Sequence, residues 1–410
     1  MKRVLTIIII LSLQSIVIFG CTNKSSKEMG NLNIYIDVKD SHSTELIKYM
    51  LDEFGSKNKN IKIEYVNKFL GSNSDTKKGK DNLIDSLSKG KVDMLITNRN
   101  NMIELTQKGL LADISLDYEK YDLNKNSYTV ITNYSRYQDK YYGISLFPYV
   151  LEVLYNQKSL NELNVKVPKN ISDLALVINK LHKGKIKIPY ILSDDMDINS
   201  VIMSSVSNNK INTVTLEDNY GKDINKYNII DFQHIFDQGN ILYKAGIINS
   251  ETLEKGGEES IDGLNRGSFP FLILPSYFND RINSADVQML DSNSDIGIKL
   301  NLIGVSTILT VPTNSKNVSE VKCLIKFISK DFQTDLVKKA TISDNKESNK
   351  KLIGLNSVAE AELYNADINN MLLQYDLPLK LNSMLSMKIS NILKGNYNGK
   401  EWMEIVNSYK

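Results

Sequence analysis

Cysteine is nearly missing from this 410-residue chain, which has only Cys21 and Cys323. Cys21 closes an apolar leader and reads as a lipid attachment point, so Cys323 has no second cysteine with which to form a disulfide. This excludes a disulfide framework and leaves packing to stabilise the fold. An imbalance of charge is missing too: 50 basic residues stand against 48 acidic ones, spread evenly, for a net charge of +2. Electrostatics therefore favours neither nucleic acid nor an anionic membrane surface, and the partner must be chosen by a specific site. The three histidines, His42, His182 and His234, show no metal-ligand spacing. No Gly-x-Ser-x-Gly elbow, Walker loop or Gly-x-Gly-x-x-Gly turn occurs, so the sequence signatures of a serine hydrolase and of nucleotide binding are lacking. The run Asp291-Ser292-Asn293-Ser294-Asp295 alternates oxygen ligands, yet Ile296 stands where a calcium loop needs its turn glycine and Leu302 where it needs glutamate. Neither a metal nor a cofactor is expected. Asp194-Asp195-Met196-Asp197 reads as a solvated turn whose charge suits the N-terminus of a helix. Carboxylate pairs need not be neighbours in sequence, so a hydrolase that uses two of them stays open.

What is present begins with an export signal. Met1, Lys2 and Arg3 precede an apolar run over residues 4–19, broken only by Thr6, Ser12, Gln14 and Ser15, and then Gly20 and Cys21. The run is shorter than the roughly 20 residues that cross a bilayer, and cations precede it. Ile18-Phe19-Gly20-Cys21 resembles a lipobox, with Phe19 where alanine or serine is usual. Acylation of Cys21 would supply two or more chains, enough for stable anchoring on the extracytoplasmic face of the cell membrane. Residues 1–20 are thus expected to be removed, and residues 21–30 have almost nothing to bury and read as a flexible tether. The remaining residues, about 380, exceed one hydrophobic core and suit two domains.

Residues 32–38 alternate like a strand, and residues 44–54 place Leu46, Ile47, Met50, Leu51 and Phe54 on one helical face that Gly55 is expected to end. A second strand at 61–66, a helix around 83–87 and a third strand at 92–96 complete a β-α-β-α-β order. Such alternation predicts a parallel sheet with ligands at the carboxyl ends of its strands. Residues 141–156 form a long aromatic extended segment around Pro148, which reads as a crossing between domains. A helix over 171–181 and a strand at 187–192 open a second α/β unit, extended stretches follow at 268–274 and 302–311, and the chain beyond 318 is largely helical.

The chain resembles the bacterial extracellular solute-binding proteins of the maltose and multiple-sugar type, which feed ABC importers. The similarity covers most of residues 31–340 and rests on six pieces in register. Val92-Asp93-Met94-Leu95-Ile96 is followed by Lys108-Gly109-Leu110-Leu111-Ala112-Asp113, and Tyr142-Gly143-Ile144-Ser145 leads to Val153-Leu154-Tyr155-Asn156. Then come Val167-Pro168-Lys169-Asn170-Ile171-Ser172-Asp173-Leu174, Asn265-Arg266-Gly267-Ser268-Phe269-Pro270-Phe271 and Val311-Pro312-Thr313-Asn314-Ser315-Lys316-Asn317. Locally, Gly109 suits a helix end and the Ser172 hydroxyl can cap the helix that follows Pro168.

The resemblance implies an α/β protein with the two-lobed fold of periplasmic binding proteins, type II, its ligand cleft between lobes joined by crossings near 146–150, 272–275 and 304–307. It places residues 31–147 with 275–304 in the first lobe and 148–274 with 305–410 in the second. It further implies a non-catalytic, monomeric receptor that captures a carbohydrate or similar polar solute by hinge closure and delivers it to the membrane subunits of an ABC permease. Sensing without transport keeps the same fold, and a surface hydrolase is the third alternative. Strand-end logic selects Lys39, Asp40, Ser41 and His42 after the first strand and Asn98, Arg99 and Asn100 after the third, with His42 expected to cap its helix or face solvent. Around the crossings, Phe147, Tyr149, Tyr277 and Phe278 offer flat faces for a sugar ring, with Ser306 and Thr307 beside them. Oligosaccharide binders of this family usually stack their ligands on several tryptophans. Here the single Trp402 lies in the last helix, where it is expected to pack against the helix before it. An amino sugar or a peptide suits the same composition.

Overall fold

A computed structural model describes residues 29–67, 77–207, 210–291, 298–339 and 341–409. The expected export signal, Cys21, the expected tether as far as Glu28 and all of the 291–295 run except Asp291 lie outside the described residues. No helix among the described residues is long and apolar enough to cross a membrane.

The expected alternation is present as β1 (Gly30–Ile36), α1 (Ser41–Lys57), β2 (Ile61–Tyr65), α2 (Lys77–Ser88) and β3 (Met94–Thr97). β1 pairs in parallel with both β2 and β3, as helical crossovers require. Leu46, Ile47, Met50, Leu51 and Phe54 form the buried face of α1. Its N-cap is Asp40, whose carboxylate accepts from the Ser43 backbone N–H at 2.7 Å. Gly55 does not end α1: the helix runs on to Lys57, because the backbone N–H and Nδ2 of Asn58 both close on the Phe54 carbonyl. α3 (Arg99–Gln107) follows β3 and ends at Gly109, whose φ of +70° a side chain would oppose.

The later elements are β4 (Gly143–Asn156), α4 (Ile171–Lys183), β5 (Ile188–Tyr190), α5 (Ile198–Val206), α6 (Phe232–Lys244), β6 (Leu253–Lys255), α7 (Glu258–Arg266), β7 (Phe271–Pro275), β8 (Val287–Met289), β9 (Leu302–Thr310), α8 (Val318–Phe327), α9 (Leu355–Asn365), α10 (Leu379–Ile392) and α11 (Glu401–Ser408). The cap of α4 is Asn170, which accepts from Asp173, so the Ser172 hydroxyl is not needed there. One curled sheet runs in the order β2-β1-β3-β9-β4-β7-β5-β6, with β8 also on β4.

Two long strands carry this sheet through both lobes. Ile144 and Ser145 of β4 lie opposite Leu309 and Ile308 of β9, and that part of β9 pairs with β3. Farther along, Leu151 to Tyr155 of β4 pair with β7. Between the two regions the ladder skips Phe147 and Ser306, and Phe147 takes a φ of +55°. A left-handed non-glycine residue costs about 1–2 kcal/mol, and here it bends the strand where one lobe gives way to the other.

One core gathers Leu32, Ile34, Ile47, Phe54, Met94 and Leu324, and a second gathers Leu174, Val177, Phe232, Phe236, Leu385 and Ile389. A third joins Leu95, Met102 and Tyr134 to Val201, Ile303, Leu372 and Tyr375, and so bridges the lobes. These pairings redraw the expected boundaries. β8 sits on the second-lobe half of β4, so residues 287–289, within the stretch the resemblance placed in the first lobe, join the second-lobe part of the sheet. β9 then returns the chain to the open edge beside β3, and α8 buries Val321, Leu324 and Ile325 in the first core. The far C-terminal helices α10 and α11, through Leu381, Leu385 and Ile405, join the second core together with Leu373 and Leu377 just before α10.

Asp93, one residue before β3, explains two of the family-like pieces at once. Its carboxylate accepts six hydrogen bonds: two from Asn33, one from Ser315, one from Lys316 and two from Asn317. Burial alone would raise its pKa, but these bonds hold it below the usual aspartate value.

Candidate functional site

A cavity of about 260 Å³ opens between the lobes at the carboxyl ends of the first-lobe strands, where parallel sheets place ligands. The first lobe contributes Asp37, Val38, Lys39 and Asp40 after β1, and Asn98, Asn100 and Asn101 after β3. Ser306 enters from the bend in β9. The opposite wall is Asp194, Asp195, Gln374 and Tyr375, with Leu379 and Asn382 from α10.

The first-lobe groups are held from below. Asp37 accepts from Thr97 Oγ1 at 3.2 Å and Asn101 Nδ2 at 2.8 Å, while Asn98 caps α3 by accepting from the Asn101 N–H. Asn100 is 4% exposed, and its Nδ2 donates to the carbonyls of Leu377 at 2.6 Å and Gln374 at 3.3 Å and to the Tyr220 hydroxyl at 3.2 Å. Those two carbonyls fix which way the carboxamide points, and its Oδ1 has no donor among the described residues. Across the cavity, Tyr375 donates its hydroxyl to Asp195 at 2.8 Å, and Ser193 donates to the same carboxylate at 2.9 Å. Asp195 is accessible from the cavity yet ringed by protein. That confinement raises its pKa, the bonds from Tyr375 and Ser193 oppose the shift, and the charge of Asp40 adds to it. The Ser306 Oγ is shielded from water and has no partner. Asp194, Asp195 and the Asn100 Oδ1 can therefore accept hydrogen bonds from a polar solute, and the side-chain amides of Asn98 and Gln374 can donate to it.

Of the residues selected from the sequence, Lys39, Asp40, Asn98, Asn100 and Ser306 line the cavity. Ser41 is exposed at the start of α1 and does not. Arg99 also lies outside this lining: it is buried, its Nε and Nη2 both 2.9 Å from Asp376 Oδ1, and its Nη1 donates to the carbonyls of Asn133, Tyr134 and Arg136. Phe147 is buried in the first-lobe core against Phe332, because its left-handed backbone turns the ring inward. Tyr149 is fully buried, its ring lying in the slot left by the missing side chain of Gly304. Tyr277 reaches across the lobes to stack on His42 at 3.9 Å between ring centroids, and Phe278 follows it at 4.8 Å. This aromatic group stands beside the cavity rather than in its lining. His42 neither caps α1 nor faces solvent fully; burial lowers its pKa against the pull of Asp40, Glu45 and Asp280. Thr307 is buried. Trp402 packs as expected of a core residue, but on Phe232 of α6, with Nε1 donating to Asn228.

The remaining lining residues escaped sequence reasoning. Asp37 was hidden because the alternation runs to Val38, whereas β1 ends at Ile36. Asp197 does cap α5, as the acidic turn suggested, but Asp194 and Asp195 beside it face the cavity. Gln374, Tyr375 and Asn382 arrive from the far end of the chain, and no local pattern announces them.

The description "bacterial extracellular solute-binding protein" belongs to the family whose model matches residues 40–331. No curated protein matches the chain in sequence. Among solved structures it is similar to a probable secreted solute-binding lipoprotein from Streptomyces coelicolor, at TM-score 0.67 and 12% identity, covering 94% of this chain and 99% of the other. It is similar too to a cyclo/maltodextrin-binding protein complexed with maltotetraose, at TM-score 0.65 and 16% identity over 94% and 98% of the two chains. The GacH receptor of Streptomyces glaucescens, solved free and with acarbose, gives 0.63 and 12% over 93% and 98%. These likenesses show the two-lobed fold, and the family match spans well over half of the sequence: the chain belongs to the bacterial extracellular solute-binding proteins.

Proposed function

We propose that this chain is the receptor of an ABC importer, anchored outside the cytoplasmic membrane by lipid on Cys21, that captures a carbohydrate or similar polar solute by closing its lobes. The observation that carries the reading is the cavity itself, walled by strand-end residues of one lobe and by Asp194, Asp195 and Tyr375 of the other. A solute touching both walls favours the closed arrangement by its differential affinity, which is the only way a ligand drives a hinge. The similar structures named for maltotetraose and acarbose support a sugar. The lipobox-like Ile18-Phe19-Gly20-Cys21 supports the anchor.

The test is a thermal-shift screen of the chain against sugars, peptides and amino acids. A solute present at 100 times its Kd should add about 2.7 kcal/mol of stability, a plain rise in melting temperature. A hit list with no sugar would move the assignment to another solute, and an empty list would remove the binding role. Mass spectrometry of the membrane-bound chain should find Cys21 at its N-terminus carrying acyl chains, and Cys21→Ala should release the protein.

A further inference from the structure

The cavity is acidic. Four carboxylates among its described lining residues, Asp37, Asp40, Asp194 and Asp195, stand against one cation, Lys39. Asp194 is exposed, and its carboxylate has no hydrogen bond or ion pair among the described residues. Carboxylates alone would say little on a solvated surface. These, however, line a crevice closed on two sides, and a separate feature points the same way. Asn100, buried to 4% exposure, lines this space with its Nδ2 engaged on the carbonyls of Gln374 and Leu377, which leaves its Oδ1 without a donor among the described residues. Ser306 Oγ adds a second shielded polar atom without a partner. A neutral polyol would leave these carboxylates uncompensated; Asp195, whose pKa is raised first by burial and further by the charge of Asp40, is the clearest case. A protonated amine answers both needs, since it brings three donors and a compensating charge. A metal ion would also compensate charge, but no group of three or more His, Cys, Asp or Glu residues among the described residues is arranged to hold one.

Resting on the reading of this cavity as the solute site, we infer that the solute is a small polyhydroxylated molecule bearing a protonated primary amine, of the amino-sugar class, with its ammonium held between Asp194, Asp195 and the Asn100 Oδ1. The carboxamides of Asn98, Asn101 and Asn382 then meet its hydroxyl groups. A ring edge or face against the neighbouring Tyr277 is outside this assignment.

The experiment is isothermal titration of the full chain, in detergent at neutral pH, with D-glucosamine, D-galactosamine and D-mannosamine and with the N-acetyl form of each. Acetylation removes the charge and keeps the ring. At least one free amine should bind roughly tenfold or more tightly than its acetylated partner, and the preference should shrink as salt is raised. Asp194→Asn, which disturbs no internal bond, and Asp195→Asn, which keeps an acceptor for Tyr375, should each weaken the amine roughly tenfold, well beyond any loss for its acetylated partner, so that the preference for the amine shrinks. Equal binding of both forms, tighter binding of the acetylated form, or a preference that survives both substitutions would overturn the inference while the solute-binding role stands. Failure of all six sugars overturns it too, and only an empty wider screen would remove that role as well.

Discussion

Replacing Arg99 by methionine should cost this protein about 3–5 kcal/mol, although Arg99 lies outside the cavity lining. The figure follows from where the charge sits. The Arg99 side chain is 4% exposed and that of Asp376 is 2%, so both ions have left water and compensate one another. Removing one partner of a buried pair strands the other charge, which is the costly event. Three carbonyls, of Asn133, Tyr134 and Arg136, lose their donor as well. A shorter cation is no remedy: lysine cannot reproduce a fork that meets a carboxylate and three carbonyls together, so Arg99→Lys should recover little. The sign of the pH response provides a second check. Burial raises the Asp376 pKa and Arg99 opposes that rise; without Arg99 the carboxyl moves higher still. A folded pKa raised above the unfolded one means stability is lost as pH climbs through it. Acidification should therefore protonate Asp376 and restore part of what Arg99→Met lost. Denaturant titration followed by circular dichroism measures this, and Arg99→Met with Asp376→Leu should be more stable than Arg99→Met alone because no charge is stranded. A single-variant cost under about 1 kcal/mol, or a double variant less stable than the single, would refute the account.

Three other outcomes follow from buried geometry. A Cβ on Gly304 would stand 2.2 Å from Tyr149 Cζ in a fully buried part of the bend, so Gly304→Ala should lower stability by about 1–3 kcal/mol, and adding Tyr149→Leu should recover part of it; an unchanged melting temperature refutes the packing. Glu152 is buried with one oxygen unpartnered, and burial pushes its pKa to about 8 against the bond from Asn279. Its folded form favours the proton, so stability falls as pH rises from the ordinary carboxyl range toward about 8. Glu152→Gln should melt above the parent at that alkaline end and level with it in acid. Asp93 has the opposite sign: its lowered pKa means its contribution is full above the unfolded aspartate pKa and is lost as pH falls through the folded one. Asp93→Asn should cost about 1–3 kcal/mol at neutral pH and flatten the acid limb of the stability profile.

What could be read from the sequence was what neighbours decide. The apolar spacing of Leu46, Ile47, Met50, Leu51 and Phe54 is a property of one helix, and the face it predicts is the face that α1 buries. Assigning residues 275–304 and 305–410 to lobes was a different kind of problem, because the edge beside β3 that β9 completes is created by residues far away. Aromatic type also misled where backbone shape decided. Phe147 and Tyr149 suit a sugar face in composition, yet a left-handed φ turns one into the first core and a glycine on the opposite strand makes room for the other. Asp194 and Asp195 suffered from proximity to Asp197, whose capping role accounts for an acidic turn without requiring a cleft.

The wall that encloses the cavity is also the wall that joins the lobes, and this ties capture to closure. Asn100 belongs to the first lobe, while Leu377, whose carbonyl it meets at 2.6 Å, belongs to the second core. Separating the lobes breaks that bond, and the carboxamide then has no reason to keep its Oδ1 toward the cavity. A solute that donates to this oxygen binds the joined arrangement better than the separated one, which is the differential affinity a hinge requires. Arg99 and Asp376 make the neighbouring contact across the same junction, so part of the closing free energy is present before any solute arrives. Weakening the pair should thus lower solute affinity by the fraction of closed population it removes, even though neither residue touches the cavity. Arg99→Lys, scored as a loss of affinity with an unchanged preference among solutes, would separate this effect from direct recognition; a changed preference would place Arg99 in contact with the solute.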